Sequence, residues 1–150
     1  MSIDIRFFYK NEQKFYKKEI VIATLTDAVS NVIELPSIIE VCLYKLEDNV
    51  YGGIDTIKVN RLFINSIIEL EDIPKILVHE LIHINQKHTG LLRINRDGLC
   101  HWHGVPFTSK PPESMTFEDY QNLPWERDVS ERQQQVLKDA LLYFRNTPKS

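Results

Sequence analysis

The run Ile73-Pro-Lys-Ile-Leu-Val-His-Glu-Leu-Ile-His-Ile-Asn85 leaves this chain few choices of fold. Pro74 near its start and Gly90 beyond its end bound a segment long enough for about four helical turns. Inside it lies His79-Glu80-Leu81-Ile82-His83, an HExxH pattern. Residues four apart on an α-helix stand about 40° apart around the axis, so His79 and His83 share a face. With His79 as origin, Leu77, Val78, Leu81, Ile82 and Ile84 cover roughly 140° to 300°. His79, Glu80, His83 and Gln86 fall outside that arc. The spacing predicts a helix over about 72–88, capped by Glu71-Asp72, with one face in a core and the other carrying ionisable groups.

Two imidazoles at that spacing suit a single zinc ion, and the glutamate after the first His is placed to act as general base on a zinc-activated water. The bland alternative is a pair of ordinary hydrogen-bonding histidines, since a pattern with three fixed positions recurs by chance. An apolar helix whose polar groups keep to one face favours the metal.

Length and composition restrict the rest. The 150 residues suit one domain, 1–150, with a real core. A net charge of −3 gives no electrostatic case for nucleic acid or an anionic membrane. No apolar run approaches a membrane span, and Met1-Ser-Ile-Asp-Ile-Arg6 lacks a signal-peptide layout. Cys42 and Cys100, without CxxC spacing, read as reduced thiols of a cytoplasmic protein.

Along the chain, residues 3–10 alternate as a strand. Phe15, Ile22, Leu25, Val29, Val32 and Ile33 fit a helical stripe over about 13–34, ending before Pro36. Ile38–Leu46 alternates again, Glu47-Asp-Asn49 and Gly52-Gly53 mark a turn region, and Ile54–Asn60 reads as a further strand. A short connection with room for a helical turn leads to the motif helix. Leu91–Ile94 and Leu99–Thr108 look extended about the turn Asn95-Arg-Asp-Gly98. Lys110-Pro-Pro-Glu113 is a loop, Thr116-Phe-Glu-Asp119 a capping box for a short helix around Tyr120, and Pro124 opens a last helix over about 124–145.

Catalytic zinc takes a third protein ligand beside water. His88 is nine residues past His79, about 180° around the helix, and points away. In the last helix Val129, Val136, Leu137, Ala140, Leu141 and Phe144 form an apolar stripe, and one step back of three residues reaches Glu126. A carboxylate aimed at a core needs a partner, and a metal is one; capping its own helix is the alternative role. His101 and His103 would share a face of a strand and remain contenders as ligand or as hydrogen-bond donor to an oxyanion.

Leu77-Val-His-Glu-Leu-Ile-His-Ile-Asn-Gln86, then Trp102-His-Gly104, then Tyr120-Gln-Asn-Leu-Pro-Trp-Glu126-Arg-Asp128 resemble the minimal zincin-like metallopeptidases common in bacteriophage genomes. The likeness spans roughly residues 36–130; Asp128 and Val129 replace a Glu and an Ala of the family pattern. It implies an α+β zincin-like fold, a small twisted sheet with the motif helix against it and the C-terminal helix closing the site. It also implies zinc on His79, His83 and Glu126, with Glu80 as base and a protein or peptide substrate in a host cytoplasm or virion. His103 and Tyr120 are candidate oxyanion donors, and Gln86 or Asp128 candidate partners of a ligand. The chain is more distantly similar to SprT-like peptidases, whose third ligand is a His, which keeps His103 in play. A non-catalytic phage structural or accessory protein with a four-ligand site, for instance His79, His83, Glu126 and His103, is the alternative.

Overall fold

The computed structural model describes residues 3–10, 15–108 and 111–146, with the side chains at 112 and 144–146 excepted. Positions 13–14 of the expected first helix, Lys110 of the expected loop and the Phe144 side chain lie outside the described residues. The architecture is α+β. Strand β1 (Asp4–Phe8) leads through helix α1 (Tyr16–Val29) to β2 (Ile38–Tyr44), which pairs with β1 in parallel, Asp4 opposite Ile38 and Phe8 opposite Cys42. A short β3 (Gly52–Ile54) and β4 (Arg61–Asn65) follow, and the sheet order is β1-β2-β4-β3, with β3 antiparallel to β4.

One face of this sheet offers Ile39, Val41 and Leu43 from β2 and Leu62 and Ile64 from β4, all fully buried. Against them pack α1, through Ile22, Leu25, Ala28 and Val29, and α2 (Ile73–His88), through Leu77, Val78, Leu81 and Ile82. Strand β2 is covered on both faces, so Glu40 is buried too; its carboxylate is held by Lys58 Nζ at 2.9 Å and Arg61 Nη2 at 2.7 Å.

A second, three-stranded antiparallel sheet is made by β5 (Leu92–Ile94), β6 (Cys100–Trp102) and β7 (Val105–Phe107). The short α3 (Phe117–Gln121) opens on the expected capping box, Thr116 Oγ1 accepting from the Asp119 N–H and the Asp119 carboxylate from the Thr116 N–H. Helix α4 (Pro124–Asn146) runs back across α1 and α2 and buries Val129, Val136 and Ala140.

Several local expectations are corrected. Ile54–Asn60 is not a strand beyond Ile54: Asp55 Oδ1 accepts the backbone N–H groups of Ile57 and Lys58, which turns the chain, and Ile57 is left 89% exposed. The expected connection after Asn60 begins as β4, and its helical turn is present at Leu70–Asp72. Gly52 and Gly53 belong to β3 and not to a turn. A Cβ on Gly52 would stand 2.8 Å from the Phe63 carbonyl oxygen and 3.2 Å from Ile76 Cγ2, so glycine lets this strand lie close against β4 and under α2.

Helix α1 stops at Val29 and not near 34, because the Ser30 hydroxyl and the Asn31 amide both turn back to the Asp27 carbonyl. Asp72 makes no side-chain cap for α2, which is entered through a 3₁₀ turn at Leu70–Asp72. Leu99–Thr108 is two strands, not one. His103 (φ 52°) and Gly104 (φ 79°) form a two-residue hairpin turn, and both central residues are left-handed as such turns require. Leu141 is 47% exposed, since twelve residues carry it about 120° around α4 from Val129. Both cysteines are free thiols. No helix among the described residues is long and apolar enough to cross a membrane.

Candidate metal centre

The polar face of α2 is covered over much of its length. Helix α4 covers it, and its first turn carries Glu126 across from the two histidines, so His83 and Glu126 are buried and His79 half-buried. His83 Nε2 stands 3.0 Å from Glu126 Oε2, and His79 Nε2 stands 3.4 Å from Glu126 Oε1. One donor atom from each of the three lies within 4.8 Å of the others. Neighbouring ligands of a tetrahedral zinc are separated by roughly 3.3 Å, so this nitrogen–nitrogen–oxygen set suits that ion with little rearrangement. Among the described residues it is the only such group of His, Cys, Asp and Glu.

A chain of hydrogen bonds fixes one ligand. Gln86 is wholly buried; its Nε2 donates to the Trp125 carbonyl oxygen and to Asp128 Oδ2, both at 2.9 Å. With the amide nitrogen committed to two acceptors, the amide oxygen must face His83 Nδ1, 2.8 Å away, and Nδ1 must carry a hydrogen. His83 Nε2 is thereby the ring nitrogen turned to Glu126. Arg132 Nη2 supports Asp128 at 2.8 Å and reaches Asn85 Oδ1 at 3.1 Å, while the Asn85 amide donates to the Glu34 carbonyl.

Glu80 is 6% exposed, with Oε1 3.8 Å from His79 Nε2 and Oε2 buried without a hydrogen-bond partner. An orphaned carboxylate oxygen beside three convergent donors is a place for a polar atom that the chain itself does not supply. Burial pushes the Glu80 carboxyl up, against the opposing pull of His83 and His79. Burial also raises Glu126, but hydrogen bonds and charge from His79 and His83 outweigh it and hold Glu126 at about 2. Burial pulls His83 down, and the hydrogen bond and charge of Glu126 more than reverse this, leaving its pKa raised.

A cleft of about 710 Å³ opens beside the cluster, lined in part by His79, Glu80, Gly52 and Tyr120. Burial and the carboxylates of Glu126 and Glu80 push the Tyr120 hydroxyl pKa up. His103 does not join this group. It is exposed at the tip of the β6–β7 hairpin, its ring against Trp102, because a left-handed turn residue is carried away from the strand face it was expected to share with His101. His101 is not in the cluster either; its Nδ1 is buried without a partner. A four-ligand set including His103 is therefore not assembled. His88 is exposed near the end of α2, 3.9 Å from Glu34.

The sequence reading missed the parts played by Arg132 and Asn85, and the apposition of Gly52 to Glu80, whose Cγ would lie 3.4 Å from a Cβ there. The Asp128–Arg132 spacing of four on a helix was a visible signal for the first; the glycine was taken for a turn. Compared with protein families, curated proteins and solved structures, the chain returns no match.

Proposed function

We propose that the protein is a zinc-dependent peptidase, with His79, His83 and Glu126 holding the ion and Glu80 acting as general base. The observation that carries the reading is the buried, unpartnered Oε2 of Glu80 beside a three-donor cluster that borders a cleft. Three protein donors with one side open match a catalytic zinc site, whereas a structural site takes four. When bound, zinc supplies Lewis acidity, polarising a carbonyl and acidifying a water. Glu80 would take a proton at Oε2 from the attacking water as its oxygen bonds to the carbonyl carbon, and would return that proton to the amine nitrogen as the C–N bond breaks. Burial raises the Glu80 carboxyl, a shift in the direction that favours holding the proton. Tyr120 keeps its own proton and donates a hydrogen bond as charge builds on the carbonyl oxygen. Gln86 holds the His83 ring in one tautomer throughout. A peptide suits the cleft because β3 is an edge strand, paired among the described residues with β4 alone, and Gly52 lines the cleft wall.

The test is zinc content and one variant. Purified protein should carry about one zinc per chain. Glu80→Gln should keep the metal and the melting temperature while hydrolysis falls about 10²–10⁴-fold. Protein that stays zinc-free after refolding with the metal, or a fully active Glu80→Gln, would refute the assignment.

A further inference from the structure

We infer that the cleft beside His79 and Glu80 is a subsite for a bulky, uncharged apolar side chain, aromatic or large aliphatic, of a bound peptide; that the occupant is a peptide rests on the peptidase reading. The walls come from separate parts of the chain. Val50 and Tyr51 precede β3, Ile68 follows β4, Ile76 belongs to α2, and Phe117 and Tyr120 stand one turn apart on α3. Four of these large side chains stay exposed, Val50 at 39%, Tyr51 at 59%, Phe117 at 75% and Tyr120 at 45%. Single exposed apolar residues are ordinary, but several converging on one concavity mark a place where apolar surface is meant to be covered.

The charge of the lining points the same way. Apart from His79 and Glu80, which the chemistry uses, the charged residues of the cleft are Asp72 and Lys75, opposite in sign and three apart. Gln133, on the same wall, has its amide tied to the Lys75 carbonyl at 3.1 Å. Nothing in this set would select a cationic or anionic side chain. The volume, about 710 Å³, falls within the usual range of roughly 300–1,000 Å³ for ligand pockets and admits an aromatic ring. Because the cleft shares His79 and Glu80 with the metal centre, a side chain seated in it belongs to a residue next to the bond being cut. The capping box at Thr116 and Asp119 anchors the short helix that forms the far wall.

Two measurements on the zinc-loaded full chain test this. A mixed peptide library, read by mass spectrometry, should be cut mainly beside Phe, Tyr, Leu, Met or Ile. N-acetyl-phenylalaninamide should shift the backbone amide signals of Tyr51, Ile76 and Phe117, while N-acetyl-lysinamide and N-acetyl-aspartamide should not. Phe117→Asp, at an exposed position, should keep zinc and the melting temperature. It should lower cleavage beside apolar residues about tenfold or more through KM, with kcat little changed. Cleavage without side-chain preference, or charged amides that bind as well as the apolar one, would overturn the subsite and leave the peptidase reading intact. An uncut library together with apolar-amide binding that Phe117→Asp abolishes would support the subsite and sink the peptidase. Neither cleavage nor binding would overturn both.

Discussion

Replacing Gln86 separates the stability of the fold from the tuning of the proposed metal centre. Gln86→Leu keeps nearly the same volume at a wholly buried position, so the cost is not a cavity. It removes the acceptor of His83 Nδ1–H and the donor to the Trp125 carbonyl, while Asp128 keeps its bond to Arg132. The Trp125 carbonyl keeps its place in the α4 ladder, so one buried polar group, His83 Nδ1–H, is left without a partner at a cost of about 1–3 kcal/mol, and the gain from burying Leu offsets part of this. A net loss of about 1–2 kcal/mol is expected in the metal-free protein, read from urea or thermal unfolding. Zinc affinity, measured by competition with a chromophoric chelator, should fall about 10–100-fold, since the freed ring no longer presents Nε2 alone. Gln86→Glu is the informative partner. It restores an acceptor for Nδ1–H but brings a carboxylate against Asp128 and donates to nothing, so it should be about as unstable as Gln86→Leu while binding zinc much more tightly than that variant. Equal zinc affinity in wild type and Gln86→Leu, or a stability loss under about 1 kcal/mol, would refute the argument that this amide positions His83.

Other expectations follow from the same geometry. Glu126→Ala should lose more zinc affinity than the roughly 100-fold ceiling of outer partners, whereas a glutamate that only caps α4 would cost about 1 kcal/mol with or without zinc and leave affinity unchanged. In the metal-free protein the raised His83 contributes stability below its ordinary value of 6.5 and loses it as pH rises through its folded pKa. The depressed Glu126 contributes above 4.5 and loses it as pH falls toward about 2. The part of the stability profile that Glu126→Gln removes should therefore peak between pH 4.5 and 6.5; a variant profile parallel to wild type would count against the pairing. Away from the site, the hydrogen bond from Lys58 and the Arg61 guanidinium hold the buried Glu40 carboxyl below its ordinary 4.5. Stability from this pair is present above pH 4.5 and lost as pH falls below it, so Glu40→Gln should cost about 1–3 kcal/mol at neutral pH and little at low pH, checked by urea midpoints across that range.

The legible parts of the fold were those where one period dominates. The apolar arc of α2 and the Thr116–Asp119 capping box announce themselves within a few residues, and both are present. The errors cluster where a local hydrogen bond or a contact from elsewhere decides. Ile54–Asn60 alternates like a strand, yet the Asp55 carboxylate turns it, and alternation carries no information about that competing bond. Gly52-Gly53 carries turn chemistry, yet sits in a strand; a Cβ on Gly52 would stand 2.8 Å from the Phe63 carbonyl oxygen of the strand it pairs with, a contact that the glycine pair itself does not announce. His103 was placed on a strand face by counting in twos, and a two-residue hairpin breaks the count.

The placing of Glu126 came from helical period, three residues before Val129 on a stripe of which Val129, Val136 and Ala140 are buried, and from the family resemblance. What period could not supply is why the contact with the histidines asks for a cation. Gln86 donates to two acceptors, so its oxygen fixes the hydrogen of His83 on Nδ1. A neutral His83 then turns the lone pair of Nε2 toward a carboxylate oxygen 3.0 Å away, and two lone pairs at that distance repel. Either a second proton on the ring or a metal ion relieves this. The proton satisfies His83 and Glu126 but leaves Glu80 Oε2 buried and bare, and burial makes its charged form costly. Under the proposed zinc reading, an ion with its water would give that oxygen a donor as well, which a proton on His83 would not; that difference is what the zinc measurements test.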